Sequence, residues 1–248
     1  MLSAHAGKVC GATDIGRQRE NNEDRFYVAP DPVVLALADG LGGLPAGEVA
    51  AELAVAAART LLEARVAQCT DEVFAIEVLG DVFRAANRSI HEAAREPSRH
   101  GMATTLVAGF VCADTLFVAH VGDVRAYRHG KHGLERLTED HTSAWELVHA
   151  GVLTEDEARL HPLRNALTRV LGLHQRIEPS FRSVPLAPGD IVLFCSDGLW
   201  EPVRHPDIAA ELAAPGASLG ERARRLLDRA IDAGGPDNAT LALYRHGA

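Results

Sequence analysis

Apolar residues run unbroken from Val33 to Ala38 and stop at Asp39-Gly40, the pattern of a buried strand that ends in a turn. The period then changes. Ala50, Leu53, Ala54, Ala57, Ala58, Leu61 and Leu62 recur at helical spacing, as do Val73, Ile76, Leu79, Phe83, Ala86 and Ile90. Two amphipathic helices joined near Gln68 to Asp71 are predicted. Before them, residues 8–14 and 25–29 read as short strands flanking a polar turn.

A strand-rich block follows. Residues 104–111 and 115–121 predict a hairpin through Cys112-Ala113-Asp114, and 124–128 with 134–137 predict another turning at Gly130. Residues 141–172 read as a helical insertion with turns at Gly151 and Pro162. Strands return at 177–186 and 191–195. A helix built on Leu219, Ala223, Leu226, Leu227, Ala230 and Ile231 precedes a last strand over 239–245. Strands, a helix pair, more strands, then helix and strand suit sheet-on-sheet packing with helices outside. No linker or repeat divides the chain.

Composition narrows the function classes. The 248 residues are 47% hydrophobic and 24% charged, which is globular rather than disordered. The net charge of −9 argues against nucleic acid as a partner, because backbone binding needs a basic face. No apolar stretch is long enough for a membrane span, and Met1 to Cys10 lacks a signal-peptide core. Cys10, Cys69, Cys112 and Cys195 are scattered without a CxxC pair, so neither a thiolate metal site nor a redox pair is expected. A cytoplasmic location is the expectation.

The chemistry lies in the acidic turns. Asp39, Asp123, Asp197 and Asp237 each stand at a predicted strand end with a glycine nearby, and Glu23-Asp24 lie in a polar turn before a strand. Carboxylates at strand ends converge if the strands share a sheet edge, and convergent carboxylates repel unless cations or protons intervene. Hard oxygen ligands favour magnesium, manganese or calcium, and paired cations activate water against phosphorus. Taken singly, each Asp-Gly is an ordinary turn. Arg19, four residues before Glu23, is placed to grip a phosphate, with Arg17 a competitor on spacing alone. The glycine-rich run from Gly40 to Gly47 resembles a dinucleotide fingerprint only superficially, since Pro45 replaces its third glycine. His120, His141 and His161 read as hydrogen-bonding core or insertion residues, and Trp145 and Trp200 as packing or cleft residues.

Six ordered blocks carry a resemblance: Thr13-Asp14-Ile15-Gly16 with Arg19 and Asn22-Glu23-Asp24; Ala38-Asp39-Gly40-Leu41-Gly42-Gly43 with Gly47-Glu48; Thr104-Thr105-Leu106 and Val121-Gly122-Asp123-Val124-Arg125; Leu137-Thr138, Asp140-His141 and Asn165-Ala166-Leu167-Thr168; Ser196-Asp197-Gly198-Leu199-Trp200; and Asp237-Asn238-Ala239-Thr240. From about Val9 to Tyr244 the chain resembles the metal-dependent protein phosphatases of type 2C, particularly the small bacterial ones. The resemblance implies an α+β fold: a four-layer α-β-β-α sandwich, its central antiparallel β-sandwich flanked by helices, with residues 1–248 as one catalytic domain and a flap at about 141–172. It implies two to three divalent cations, manganese or magnesium. By the same resemblance Asp39 would bridge the central pair with the Gly40 carbonyl on one ion, Asp197 and Asp237 would complete the second, Glu23 would contact the cluster directly or through water, and Asp24 would support it. Asp123, with Asp197, would hold a weaker third ion, and Arg19 would bind the substrate phosphate. The implied reaction is hydrolysis of phosphoserine and phosphothreonine in proteins by a metal-activated water, without a covalent intermediate, opposing a bacterial Ser/Thr kinase. The partners are then phosphorylated proteins, a kinase and its targets; no nucleic acid or membrane is expected, and a monomer is.

Three positions depart from the family pattern. Leu41 stands where some members carry a histidine proposed as general acid, Ala103 replaces a usual glycine, and Glu201 replaces an Asp. Two other functions fit the same blocks: a phosphoprotein-binding module of weak catalysis, and a phosphatase of small phosphorylated metabolites.

Overall fold

The computed structural model describes residues 2–5, as backbone, and 8–247; Met1, Ala6, Gly7 and Ala248 lie outside it. The strands are β1 (Leu2–His5), β2 (Val9–Asp14), β3 (Asp24–Pro30), β4 (Val33–Asp39), β5 (Leu106–Cys112), β6 (Thr115–Val121), β7 (Arg125–Gly130), β8 (Gly133–Arg136), β9 (Ser180–Pro185), β10 (Ile191–Cys195) and β11 (Ala239–Arg245). The helices are α1 (Gly47–Arg65), α2 (Glu72–Ala93), α3 (Ser143–His149), α4 (Glu155–Leu160), α5 (Asp197–Trp200), α6 (His205–Ala213) and α7 (Leu219–Asp232). One antiparallel sheet has the order β1-β2-β11-β10-β7-β8, the other β3-β4-β5-β6-β9.

The apolar run of β4 is explained by its two faces. Leu35 and Leu37 point into the core between the sheets, with Val107, Val118, Val192 and Phe194. Val34, Ala36 and Ala38 point the other way, onto α1 and α2. Successive strand residues alternate faces, so a strand covered on both sides is apolar throughout. Four alanines of α1, Ala50, Ala51, Ala54 and Ala58, are buried against this layer; their small side chains let the helix lie close. β10 repeats the logic, with Val192 and Phe194 inward and Ile191, Leu193 and Cys195 against α6 and α7. The result is the expected four layers, helices on both outer faces.

Local signals agree with the helix limits. Asp71 caps α2 by accepting from Phe74 N, and Ser218 with Glu221 forms a reciprocal capping box at α7, each worth about 1 kcal/mol. Three elements were not expected from the pattern: β1, the short α5 and α6. In α6 only Ile208 and Leu212 are buried and Pro206 opens the helix, so the apolar stripe is too sparse to register. The strand expected from 177 begins at Ser180. The expected insertion at 141–172 contains α3 and α4. Cys10 and Cys195 are buried, whereas Cys69 and Cys112 are half-buried, and all four are free. Among the described residues no helix is long and apolar enough to cross a membrane.

Candidate active site

Strand register brings the acidic turns to one end of the sandwich. Asp24, first in β3, pairs directly with Asp39, last in β4. The start of β5 and the end of β6 lie beside them, because Leu106 pairs with Val121, and Asp123 follows two residues later. In the other sheet Cys195 at the end of β10 pairs with both Arg125 and Leu241. Asp197 and Asp237 therefore emerge at the same edge as Asp123.

Cross-sheet bonds tie these edges together. Ser196 Oγ donates to Asp24 Oδ2 at 2.8 Å and accepts from Thr240 N at 3.0 Å. Asn238 Oδ1 accepts from Glu23 N at 2.8 Å, while its Nδ2 donates to the carbonyls of Ile15 and Asn21 at 2.9 and 3.0 Å. Trp200 Nε1 donates to the carbonyl of Asp123 at 3.0 Å. Asp39 is gripped through its backbone. Thr105 Oγ1 accepts from Asp39 N at 3.0 Å, and Thr104 Oγ1 and Thr105 N both donate to the Asp39 carbonyl at 2.8 Å. Glycine is needed at two of the turns. A Cβ on Gly40 would stand 2.4 Å from the Gly47 backbone, and one on Gly198 would stand 2.0 Å from the Asn238 carbonyl.

The carboxylates feel one another. Asp39 and Asp197 keep part of their surface open to solvent, yet burial is the main cause of their shifts. Burial, then the charges of Asp24, Asp197, Asp123 and Asp237, push the Asp39 carboxyl well above its ordinary range. Burial and Asp197 do the same to Asp123. Asp197 is raised to about 6, by burial and then Asp237. Asp24 is raised to about 7, chiefly by burial, against the hydrogen bonds of Thr240 and Ser196 that favour its charged form. Glu23 is raised by burial and then by Glu48, in the first turn of α1. Asp24 Oδ1 and Asp197 Oδ1 are buried without a hydrogen-bond partner. An orphaned buried carboxylate oxygen is costly, and a hard cation is the partner that suits it. Among the described residues, no three acidic, histidine or cysteine side chains close on a single point, although Asp39 and Asp197 lie within hydrogen-bond reach of each other.

Arg19 reaches this group. Its Nη2 lies 2.6 Å from Asp237 Oδ2, with the side chain 41% exposed. It also lies against Gly42, where a Cβ would stand 2.6 Å from Nη1. Arg17 is elsewhere, in an exposed pair with Asp232 at 3.6 Å. All seven positions singled out as ligands, Glu23, Asp24, Asp39, Gly40, Asp123, Asp197 and Asp237, thus lie at strand ends and turns along this edge, with Arg19 beside Asp237.

The supporting shell was less visible. Ser196, Thr240, Thr104, Thr105 and Asn238 brace the acidic turns, but a hydroxyl or amide at a strand end gives no sequence signal for what it will hold. Arg125 is 5% exposed and Asp140 7%. They form a two-pronged ion pair at 2.9 and 2.5 Å, with the guanidinium centred 3.3 Å from the Trp200 ring. His120 and His141 stack at 4.5 Å. His141 Nδ1 accepts from Gly122 N at 3.2 Å and its Nε2 faces Ser180 Oγ at 2.9 Å, the hydrogen-bonding role expected for it. Beside the site, α3, α4 and Trp200 enclose a cleft of about 770 Å³.

A family model described as protein phosphatase 2C matches residues 10–232. The chain is 37% identical over 240 residues to a serine/threonine protein phosphatase PstP of Mycobacterium tuberculosis, covering 95% of this chain but 44% of that protein. It is therefore similar to less than half of that relative's length. It is 34% identical over 234 residues to a serine/threonine phosphatase stp of Listeria monocytogenes, covering 93% of this chain and 92% of that one. The fold is similar to the solved catalytic domain of a PstP in complex with two manganese ions, with a TM-score of 0.83 and 34% identity over 96% of this chain and 97% of that one.

Proposed function

We propose that this chain, which belongs to the protein phosphatase 2C family, hydrolyses phosphoserine and phosphothreonine in other proteins with the help of divalent cations. The observation that carries the reading is the mutual pressure of the acidic groups. Burial, and after it the neighbouring negative charges, push carboxylates from separate turns above their ordinary range at one sandwich edge, and two of their oxygens are buried without partners. Such a group is stable as a charged set only with cations among it.

Asp39, the Gly40 carbonyl, Asp197 and Asp237 would hold the two central cations, with Glu23 and Asp24 supporting and Asp123 joining Asp197 at a third. The cations, manganese or magnesium, supply Lewis acidity: they acidify water and offset negative charge on a phosphoryl group. The relative's two manganese ions support the choice of metal. The chain's own residues do the rest. Arg19 presents a planar fork that matches two phosphoryl oxygens, and Asp237 holds that fork at the edge of the site. Ser196 and Thr240 keep Asp24 oriented, and Thr104 and Thr105 fix the Asp39 backbone against the strain of crowded charge. Leu41, whose N donates to the Ala103 carbonyl at 3.0 Å, offers no side-chain acid, so proton delivery to the leaving alkoxide falls to another group.

The same reading takes 1–248 as one catalytic domain with a flap at 141–172, acting as a monomer in the cytoplasm against a Ser/Thr kinase and its targets. The test is turnover of a phosphothreonine peptide with manganese. Activity is expected to vanish with a chelator and with Asp197→Ala. Activity indifferent to both refutes the reading, and a specificity constant far higher for small phosphorylated metabolites redirects it.

A further inference from the structure

On the helical layer outside the active site, Arg84, Arg88 and His91 of α2 and Arg95 just past its end are spaced by four, three and four residues. That spacing stacks side chains along one helix face. They line a groove of about 700 Å³ whose opposite wall is the segment 175–178, which adds Arg176. The wall is stitched to the helix. Buried Asn87 accepts from Gly172 N at 2.8 Å and donates to the carbonyls of His174 and Gln175 at 2.8 and 3.3 Å. His91 Nε2 donates to the same His174 carbonyl at 2.9 Å.

The groove's charge is largely unspent. Arg88, Arg95 and Arg176 are exposed, and among the described residues their side chains make no ion pair. Arg84 is shared with Asp81 at 2.7 Å. Glu92 and Glu178 also line the groove, so four guanidiniums face two carboxylates in a chain whose net charge is −9. Each free guanidinium offers several donors suited to carboxylate or phosphate oxygens.

We propose that this groove docks an acidic segment of a protein, and that the segment belongs to the phosphoprotein substrate; the second clause rests on the function proposed above. A short acidic stretch answers to the local field, because charges farther than about 8 Å are screened at physiological salt. A nucleic acid would extend its own negative charge along the acidic remainder of the surface. The groove is also joined to the site. Leu171, just before the wall, exchanges backbone bonds with Thr104 at 3.1 and 2.8 Å, and Thr104 Oγ1 donates to the Asp39 carbonyl. The wall of the groove is thus held, through buried Leu171 and Thr104, in fixed relation to the Asp39 turn.

The test is fluorescence anisotropy with a short fluorescein-labelled peptide rich in Asp and Glu and free of phosphate. Saturable, salt-sensitive binding to the whole chain is expected. It should weaken about tenfold or more, the factor that 1.4 kcal/mol represents, in Arg88→Glu/Arg95→Glu and in Arg176→Glu on the opposite wall. Turnover of p-nitrophenyl phosphate should stay within about twofold, as both variants lie outside the catalytic residues. For a phosphothreonine peptide with an acidic flank, KM should rise in the variants with kcat unchanged, and a neutral-flanked peptide should show no change. Equal peptide affinity in all forms overturns the groove, as does equally tight binding of an RNA oligomer of the same charge. Intact peptide docking without any phosphatase turnover would keep the groove and remove the substrate clause along with the function it rests on.

Discussion

The hydroxyl of Ser196, just past the end of one sheet, donates at 2.8 Å to Oδ2 of Asp24, at the start of the other. This single bond spans the two halves of the sandwich at its acidic edge. The same oxygen also accepts from Thr240 N, so Ser196→Ala removes one of the two hydroxyls that hold Asp24 and strands a backbone N–H. Leaving such groups unpaired costs about 1–3 kcal/mol. Urea unfolding should show a loss of that size. Because groups that orient ligands tune metal affinity by about 10–100-fold, the manganese concentration for half-maximal turnover should rise within that range.

Arg19 is expected to act on substrate rather than on cations. Arg19→Ala removes a charge-assisted contact of about 1.5–3 kcal/mol, so kcat/KM for an aryl phosphate should fall roughly 10–100-fold while manganese affinity holds or tightens. Arg19→Lys should recover little, since an ammonium lacks the planar fork. Gly42→Ala tests the geometry by another route. Its Cβ would stand 2.6 Å from Arg19 Nη1 and displace the tip of that side chain, so steady-state kinetics should show a partial Arg19 phenotype with an unchanged unfolding midpoint.

The strands β4 and β10, the two long helices and both hairpins were legible, because each depends on an apolar run or period along the chain, whereas the two-faced burial of β4 and β10 came from the structure. The acidic turns were legible for another reason: Asp-Gly at the end of an apolar run marks a strand end. Their convergence followed from the family resemblance rather than from spacing, and it took the register Asp24 opposite Asp39 to show it. Ser196, Thr240 and Asn238 were not legible as supports, since their partners lie far away in sequence. The pairing of Arg125 with Asp140 was hidden for the same reason. α6 was missed because its two buried residues, Ile208 and Leu212, are too few to outweigh an opening Pro206.

Arg125 and Asp140 form a buried ion pair, so removing one partner should cost more than removing both. Asp140→Asn leaves the Arg125 charge uncompensated beneath Trp200 and should destabilise by about 3–5 kcal/mol. The double variant Arg125→Met/Asp140→Leu should lose less. Urea unfolding of the two variants and the parent makes the comparison.

His141 gives the fold a dependence on acid. Burial, then the charges of His120 and Arg169, hold its pKa at about 3, against an ordinary 6.5. Below pH 6.5 the unfolded chain takes up a proton that the folded chain refuses. The stabilisation is therefore complete above 6.5 and is lost as pH falls towards 3, at about 1.4 kcal/mol per pH unit. Between pH 7 and pH 5 the parent should lose roughly 1–2 kcal/mol more than His141→Gln, which cannot titrate there. Equal losses in urea unfolding would remove His141 from the acid response.

The central claim is that carboxylates from separate turns jointly hold the cations on which hydrolysis depends. Calorimetric titration of manganese into the chain and into Asp39→Asn, with p-nitrophenyl phosphate turnover measured on the same samples, tests it directly. The parent should take up at least two ions, in line with the manganese-bound relative. The variant should lose tight uptake and about a hundredfold or more in turnover together. A variant that binds manganese and hydrolyses phosphate as the parent does would contradict the account.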